Sequence, residues 1–172
     1  AQAAVDVGSQ APVAERVAML RSGHRYSSEE MPLRAGVPAL THFPFAAWRR
    51  ALNRVLNDTP QRLLGYGDPL GEMALREALA QHLSLTRGVR CQPQQIVITE
   101  GAQQALSLCV TLLSNPGDIG WVEDPGYRGA KAAMLAGNLR VQAVTVDKQG
   151  LAPDDRLWQS ASPRLVFCSA TH

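Results

Sequence analysis

Residues 95–130, QIVITEGAQQALSLCVTLLSNPGDIGWVEDPGYRGA, constrain the fold of this chain more than any other stretch. Ile96-Val97-Ile98 is a short β-branched run of the kind expected in a strand buried on both faces. Gly101 breaks the run and lets the backbone turn straight into a helix. From Ala102 to Leu113 the apolar positions are Ala102, Ala105, Leu106, Leu108, Cys109, Val110, Leu112 and Leu113. These are too many for one stripe, so the helix is expected to be covered on most sides. Asn115-Pro116-Gly117-Asp118 stops it, and Ile119 to Val122 resumes as a strand. Strand, crossover helix and strand in this order predict a right-handed βαβ unit with a parallel pair.

Two features of this unit carry chemistry. The turn Thr99-Glu100-Gly101-Ala102-Gln103 sets the free N–H groups of a helix N-terminus at the carboxyl end of a strand. Unpaired donors and a favourable dipole make that arrangement an anion site, for phosphate above all. The second strand ends in Glu123-Asp124-Pro125-Gly126-Tyr127, which brings an aromatic ring to the same sheet edge, where ligands of open α/β sheets sit. A phosphate cradle beside an aromatic platform suits a flat phosphorylated heterocycle. The plainer reading is an ordinary βαβ unit with Tyr127 packed as core.

The rest of the chain supplies the frame. A length of 172 residues with 45% hydrophobic content supports a sizeable core, and a net charge of +2 argues for neither nucleic acid nor a membrane surface. Cys91, Cys109 and Cys168 are odd in number and widely spaced, which fits reduced thiols in a cytoplasmic protein better than a disulfide framework or a metal site. The longest apolar stretch, Ala105 to Leu113, is too short to span a bilayer, and with Asp6 and Glu15 and no basic lead the N-terminal residues are not expected to be a secretory signal. Residues 1–30 read as a linker or arm with a short helix from Pro12 to Leu20; Arg16, Arg21 and Arg25 fit a solvated arm better than a DNA contact.

Met31 to Pro38 is extended and turn-rich, and His42-Phe43-Pro44 opens a helix whose Phe45, Trp48, Leu52, Val55 and Leu56 share one face. Trp48 reads as a core anchor. Leu64-Gly65-Tyr66-Gly67-Asp68-Pro69-Leu70-Gly71 is a loop, and the helix after it aligns Leu75, Leu79 and Leu83 before Arg87-Gly88 caps it. Past the central unit, Tyr127 to Ala136 is a helix closed by Gly137. Arg140 to Val146 is a strand, Asp147 to Gly150 a turn, and Leu165 to Cys168 a final strand. No G-x-G-x-x-G or G-x-x-x-x-G-K follows any strand, which disfavours a dinucleotide or nucleotide fold.

TEGAQQALSL followed by VEDPGY resembles the large domain of pyridoxal-5′-phosphate (PLP) enzymes of fold type I, the aminotransferase class I/II superfamily. GVPALTHFPFAAWRR resembles the entry G-x-P-x-x-x-x-F-P-x-x-x-W of the MocR-type branch, regulators of the GntR superfamily that join a winged-helix DNA-binding domain to an aminotransferase-like domain. YGDPLGEMALR matches the family's Y-x-x-P-x-G-x-x-x-L-R. The resemblance runs from about Leu33 to His172 and implies an incomplete three-layer αβα sandwich with a mostly parallel sheet.

It also implies roles. Gly101, Ala102 and Gln103 would bind the PLP phosphate, Tyr127 would stack on the ring, and Tyr66 would reach the cofactor phosphate of the neighbouring subunit in a homodimer. Residues 1–30 would be the interdomain linker, with the winged helix upstream of Ala1, and residues 31–172 the N-terminal half of the PLP-binding domain. His172 matches a histidine of the family's cofactor-enclosing loop, but Ala170 replaces a proline there, and a frayed surface histidine is the preferred reading. The two lysines, Lys131 and Lys148, lie in no matching motif; in the family the Schiff-base lysine and the aspartate that holds the pyridinium nitrogen lie further along. The chain by itself is therefore not expected to transaminate. The implied function is an effector-sensing PLP domain of a transcriptional regulator, with an amino-containing effector. The rival is part of a catalytic class I/II aminotransferase, and a cofactor-free α/β binding segment is the third reading.

Overall fold

The computed structural model describes residues 38–58 and 61–169. The expected helix from Pro12 to Leu20, the three arginines of the arm and His172 lie outside the described residues. What is described divides into two units, one ending at Ile98 and the other starting at Thr99.

In the first unit, helix α1 (Phe45–Asp58) starts where Pro44, without an N–H to satisfy, offers its carbonyl to Trp48 N–H at 3.0 Å. Phe45, Trp48, Leu52, Val55 and Leu56 do line one face, but that face is exposed, Trp48 at 61%. The core-anchor reading of Trp48 is therefore corrected: its ring meets the edge of Phe43 at a 6.0 Å centroid distance and stays on the surface. Periodicity tells which residues share a face, not whether a neighbour covers it.

The loop after α1 is braced by Asp68. Its carboxylate accepts from Leu70 N–H at 2.8 Å and from the guanidinium of Arg76 at 2.6 Å, while its carbonyl accepts from Gly71 N–H. Arg76 lies in α2 (Met73–Arg87) and is buried, with its Nε unpaired among the described residues. The helix closes at Gly88, where the Gly88 and Val89 N–H groups bond Ser84 O and Leu83 O. A short 3₁₀ turn, Pro93–Gln95, packs against it.

Ile96 to Ile98 is extended but is not a strand. Ile98 N–H bonds Leu70 O at 2.9 Å and Val97 is exposed, so the run joins no ladder among the described residues. β-branched residues favour an extended backbone, whereas a strand also requires a paired neighbour. The βαβ unit expected around residues 96–122 is therefore not formed as such.

The second unit holds the sheet. Helix α3 (Ala102–Leu113) leads to β1 (Ile119–Asp124), α4 (Arg128–Ala136), β2 (Arg140–Asp147), β3 (Gly150–Leu151), α5 (Asp155–Ser160) and β4 (Leu165–Phe167). The strand order is β3-β2-β1-β4, with β1 parallel to both β2 and β4 and the short β3 antiparallel to β2. The parallel crossover that does form is β1–α4–β2.

Successive residues of a strand point to opposite faces, and β1 shows what lies on each. Val122 joins Val110 of α3, Ala130, Ala133 and Met134 of α4, and Leu139 in the core cluster, with Leu106, Val141, Leu165 and Phe167 packed around it. Trp121 faces the other way, is fully buried, donates from Nε1 to Ala161 O at 2.9 Å, and meets the ring of Trp158 in α5 edge-on. Helices α3 and α4 thus cover one face and α5 the other, as in the expected three-layer sandwich. Only Val110 of α3 is buried, however, and Leu108, Leu112 and Leu113 are exposed. The expectation that this helix is covered on most sides is corrected: α4 packs one flank of it, and its remaining apolar side meets no equivalent neighbour among the described residues.

Candidate functional site

The direction of α3 fixes where its free N–H groups lie. At its C-terminal end Leu113 O accepts from Arg164 Nε at 2.7 Å, and Arg164 N–H bonds Ile119 O, so this end sits at the amino edge of β1 and β4. Its N-terminal end is tied to the opposite, carboxyl edge, because Gln103 Nε2 donates to Gly129 O at 3.0 Å just past the end of β1. The strand expected to deliver this turn is absent, yet the helix N-terminus still reaches the carboxyl edge of the sheet.

Gly101 makes the turn at φ 97° and ψ 174°, a conformation residues with a Cβ avoid. Its carbonyl accepts the first intrahelical bond, from Ala105 N–H at 3.2 Å. The N–H groups of Ala102, Gln103 and Gln104 precede that bond, and no side chain caps the helix. Glu100 N–H is taken by the Gln104 side-chain oxygen, which closes the loop on itself. Three donors therefore converge at a helix start with a favourable dipole, the local requirement for phosphate.

The aromatic platform is built beside it. After the cis Asp124–Pro125 bond, Gly126 packs so closely on Glu123 that an added Cβ would fall 2.3 Å from Glu123 O. This tight corner presents Tyr127 at the first residue before α4. Its ring is half exposed and lies 6.0 Å from the Phe167 ring at the end of β4, tilted by 39°. Phe167 supports the platform and follows from no motif in the sequence. Glu123 is a second addition: buried next to the last residue of β1, it accepts from Ser169 N–H at 3.0 Å and clips the end of β4 to that of β1. A carboxylate closing the run Ile119–Val122 was the available signal for it.

Gly101, Ala102, Gln103 and Tyr127 are thus brought together at one edge. Tyr66 belongs to the unit ending at Ile98 and stands there as a fully exposed side chain on the loop braced by Asp68 and Arg76. No group of three His, Cys, Asp or Glu side chains able to hold a metal ion exists among the described residues. No helix there is long and apolar enough to cross a membrane.

Residues 28–155 match the family model described as aminotransferase class I and II. The chain belongs to the aminotransferase class I and II family. Within it, the chain is similar to the probable rhizopine catabolism regulatory protein MocR of Rhizobium meliloti, 36% identical over 77% of this chain and 26% of that protein. It is likewise similar to the uncharacterized HTH-type transcriptional regulator YhdI of Bacillus subtilis, 31% identical over 87% of this chain and 31% of that one. The chain therefore spans about a quarter to a third of the length of these curated relatives. Among solved structures it resembles LysN, the α-aminoadipate aminotransferase of Thermus thermophilus complexed with N-(5′-phosphopyridoxyl)-L-leucine. There the TM-score is 0.67 at 29% identity, over 77% of this chain and 33% of the enzyme. The MocR-type resemblance in the sequence and the fold type I architecture of the aminotransferase class I and II family both hold.

Proposed function

We propose that this chain is part of the PLP-binding, effector-sensing domain of a cytoplasmic MocR-type transcriptional regulator. The observation that carries the reading is the joint position of the α3 N-terminus and Tyr127 at the carboxyl edge of the sheet, linked by the Gln103–Gly129 bond. The donor set fits the cofactor: Gly101 turns the backbone so that the N–H groups of Ala102 and Gln103 meet a phosphate, and Gly101 itself allows close approach. Tyr127, with its ring beside that of Phe167 and about half exposed, offers a stacking face for the pyridine ring. PLP, when bound, supplies an electron-withdrawing ring and an aldehyde that condenses with amines, which suits an amino-containing effector.

Tyr66, exposed on its braced loop, would donate its hydroxyl to the phosphate bound by a second copy, so the working unit would be a homodimer. Residues 1–30 would serve as the linker to a winged helix, and residues 31–172 as the N-terminal half of the sensing domain. The similarity to HTH-type regulators supports this reading over that of a catalytic aminotransferase, which the likeness to LysN keeps as the second.

The test is a titration of the full-length protein with PLP, followed by absorbance, beside promoter-fragment binding at several salt concentrations. Saturable PLP binding that Tyr127→Ala weakens several-fold, with salt-dependent DNA binding, is the expected result. No PLP binding defeats the proposal. Rapid amino-group transfer without DNA binding favours the enzyme.

A further inference from the structure

Gln103 takes part in the site through more than its backbone. Its side-chain Nε2 is committed to Gly129 O at 3.0 Å. A Cβ added at Gly129 would fall 2.4 Å from Gln103 Oε1, 2.4 Å from Tyr127 Cε1 and 2.5 Å from Tyr127 Cζ. The carboxamide, the bare α-carbon of Gly129 and the tyrosine ring therefore pack in one contact. Among the rings of the described residues, Tyr127 is otherwise held by Phe167, at 6.0 Å and tilted by 39°. Its own residue precedes α4, its ring is half exposed, and no side-chain cap fixes it.

We propose that Gln103 is a positioning residue: its side chain orients the Tyr127 ring through Gly129, while its N–H faces the phosphate. The inference rests on the reading of this edge as a PLP site and deepens it. Phosphate cradle and stacking ring are then not two independent subsites. The side chain of one cradle residue sets the angle of the ring, so a cofactor held by its phosphate meets a ring already aligned. Gly129 belongs to the same device, because any larger residue there would drive the ring and the carboxamide apart.

A double-mutant cycle in the full-length protein tests this, with PLP affinity read by absorbance and the bound cofactor's asymmetry by visible circular dichroism. Gln103→Met keeps the length of the side chain and removes its donor. Acting through the ring, it lowers PLP affinity about fivefold, as Tyr127→Ala does, and alters the visible circular dichroism. In the Tyr127→Ala background Gln103→Met then adds nothing, since coupled positions are not additive. Gly129→Ala is the second variant, with the same dependence on Tyr127, and decides the matter if Gln103→Met fails to fold. Losses that multiply to about twenty-five-fold in the double variant, or no loss from Gln103→Met in the folded protein, overturn the inference while leaving the PLP reading intact. Failure of the unmodified protein to bind PLP overturns both.

Discussion

Replacing Gly101 by alanine tests the phosphate cradle at its backbone hinge. Gly101 stands at φ 97° and ψ 174°, a region almost reserved for glycine. Beyond the adjoining residues, no atom of the described residues lies within 4 Å of a Cβ built there, so alanine meets no steric neighbour and the whole effect is conformational. Holding a residue in that region costs about 1–3 kcal/mol. Alanine's narrower unfolded ensemble offsets about 0.4–1 kcal/mol of this, so a mid-range strain of about 2–2.5 kcal/mol leaves a net loss of about 1–2 kcal/mol. The chain can relax by turning the Gly101–Ala102 peptide, but the N–H groups of Ala102 and Gln103 then lose their alignment. Strain retained weakens the apo-protein, and strain relieved weakens PLP binding. The unfolding free energy of the PLP-saturated protein contains both terms. Urea denaturation of the full-length protein at saturating PLP should therefore show the whole loss of about 1–2 kcal/mol, whichever way the apo-protein relaxes. An unchanged midpoint together with an unchanged PLP titration would refute the reasoning, since it would mean that the turn carries neither strain nor ligand.

Trp121→Ala should lower the unfolding free energy by about 3–5 kcal/mol, because it empties a fully buried site between two faces of packing and orphans Ala161 O; a loss below about 1 kcal/mol in urea would contradict the core as described. Tyr66→Ala should change the unfolding free energy by less than about 0.5 kcal/mol, its side chain being fully exposed, yet weaken PLP binding if the proposed homodimer brings it to the phosphate; unchanged affinity would remove Tyr66 from the proposed site. The 172-residue chain by itself should self-associate through the exposed face of Phe45, Trp48, Leu52, Val55 and Leu56 and the exposed leucines of α3. A monodisperse monomer in light scattering with a sharp cooperative melt would count against that.

The local elements were legible in the sequence wherever short-range chemistry decides them. Gly101 before an apolar run marks the start of α3, Arg87-Gly88 marks the end of α2, and Pro125-Gly126-Tyr127 marks the corner before α4, because backbone torsions and caps depend on a few adjacent residues. The turn at Gly101 and the position of Tyr127 before α4 followed from the same local signals, and the motif wording pointed to the family to which the chain belongs. Pairing and coverage were not legible in that way. Ile96-Val97-Ile98 has the composition of a buried strand, but a strand is defined by its neighbour, and Ile98 bonds Leu70 instead. The faces of α1 and α3 are apolar by count, yet which side meets a partner depends on elements distant in sequence. Tertiary structure alone brought Gln103 to Gly129, Phe167 to Tyr127 and Ser169 to Glu123, across separations of 26, 40 and 46 residues. Those contacts set the geometry of the site, because parallel strands joined through crossover helices bring together loop ends that no local window of sequence contains.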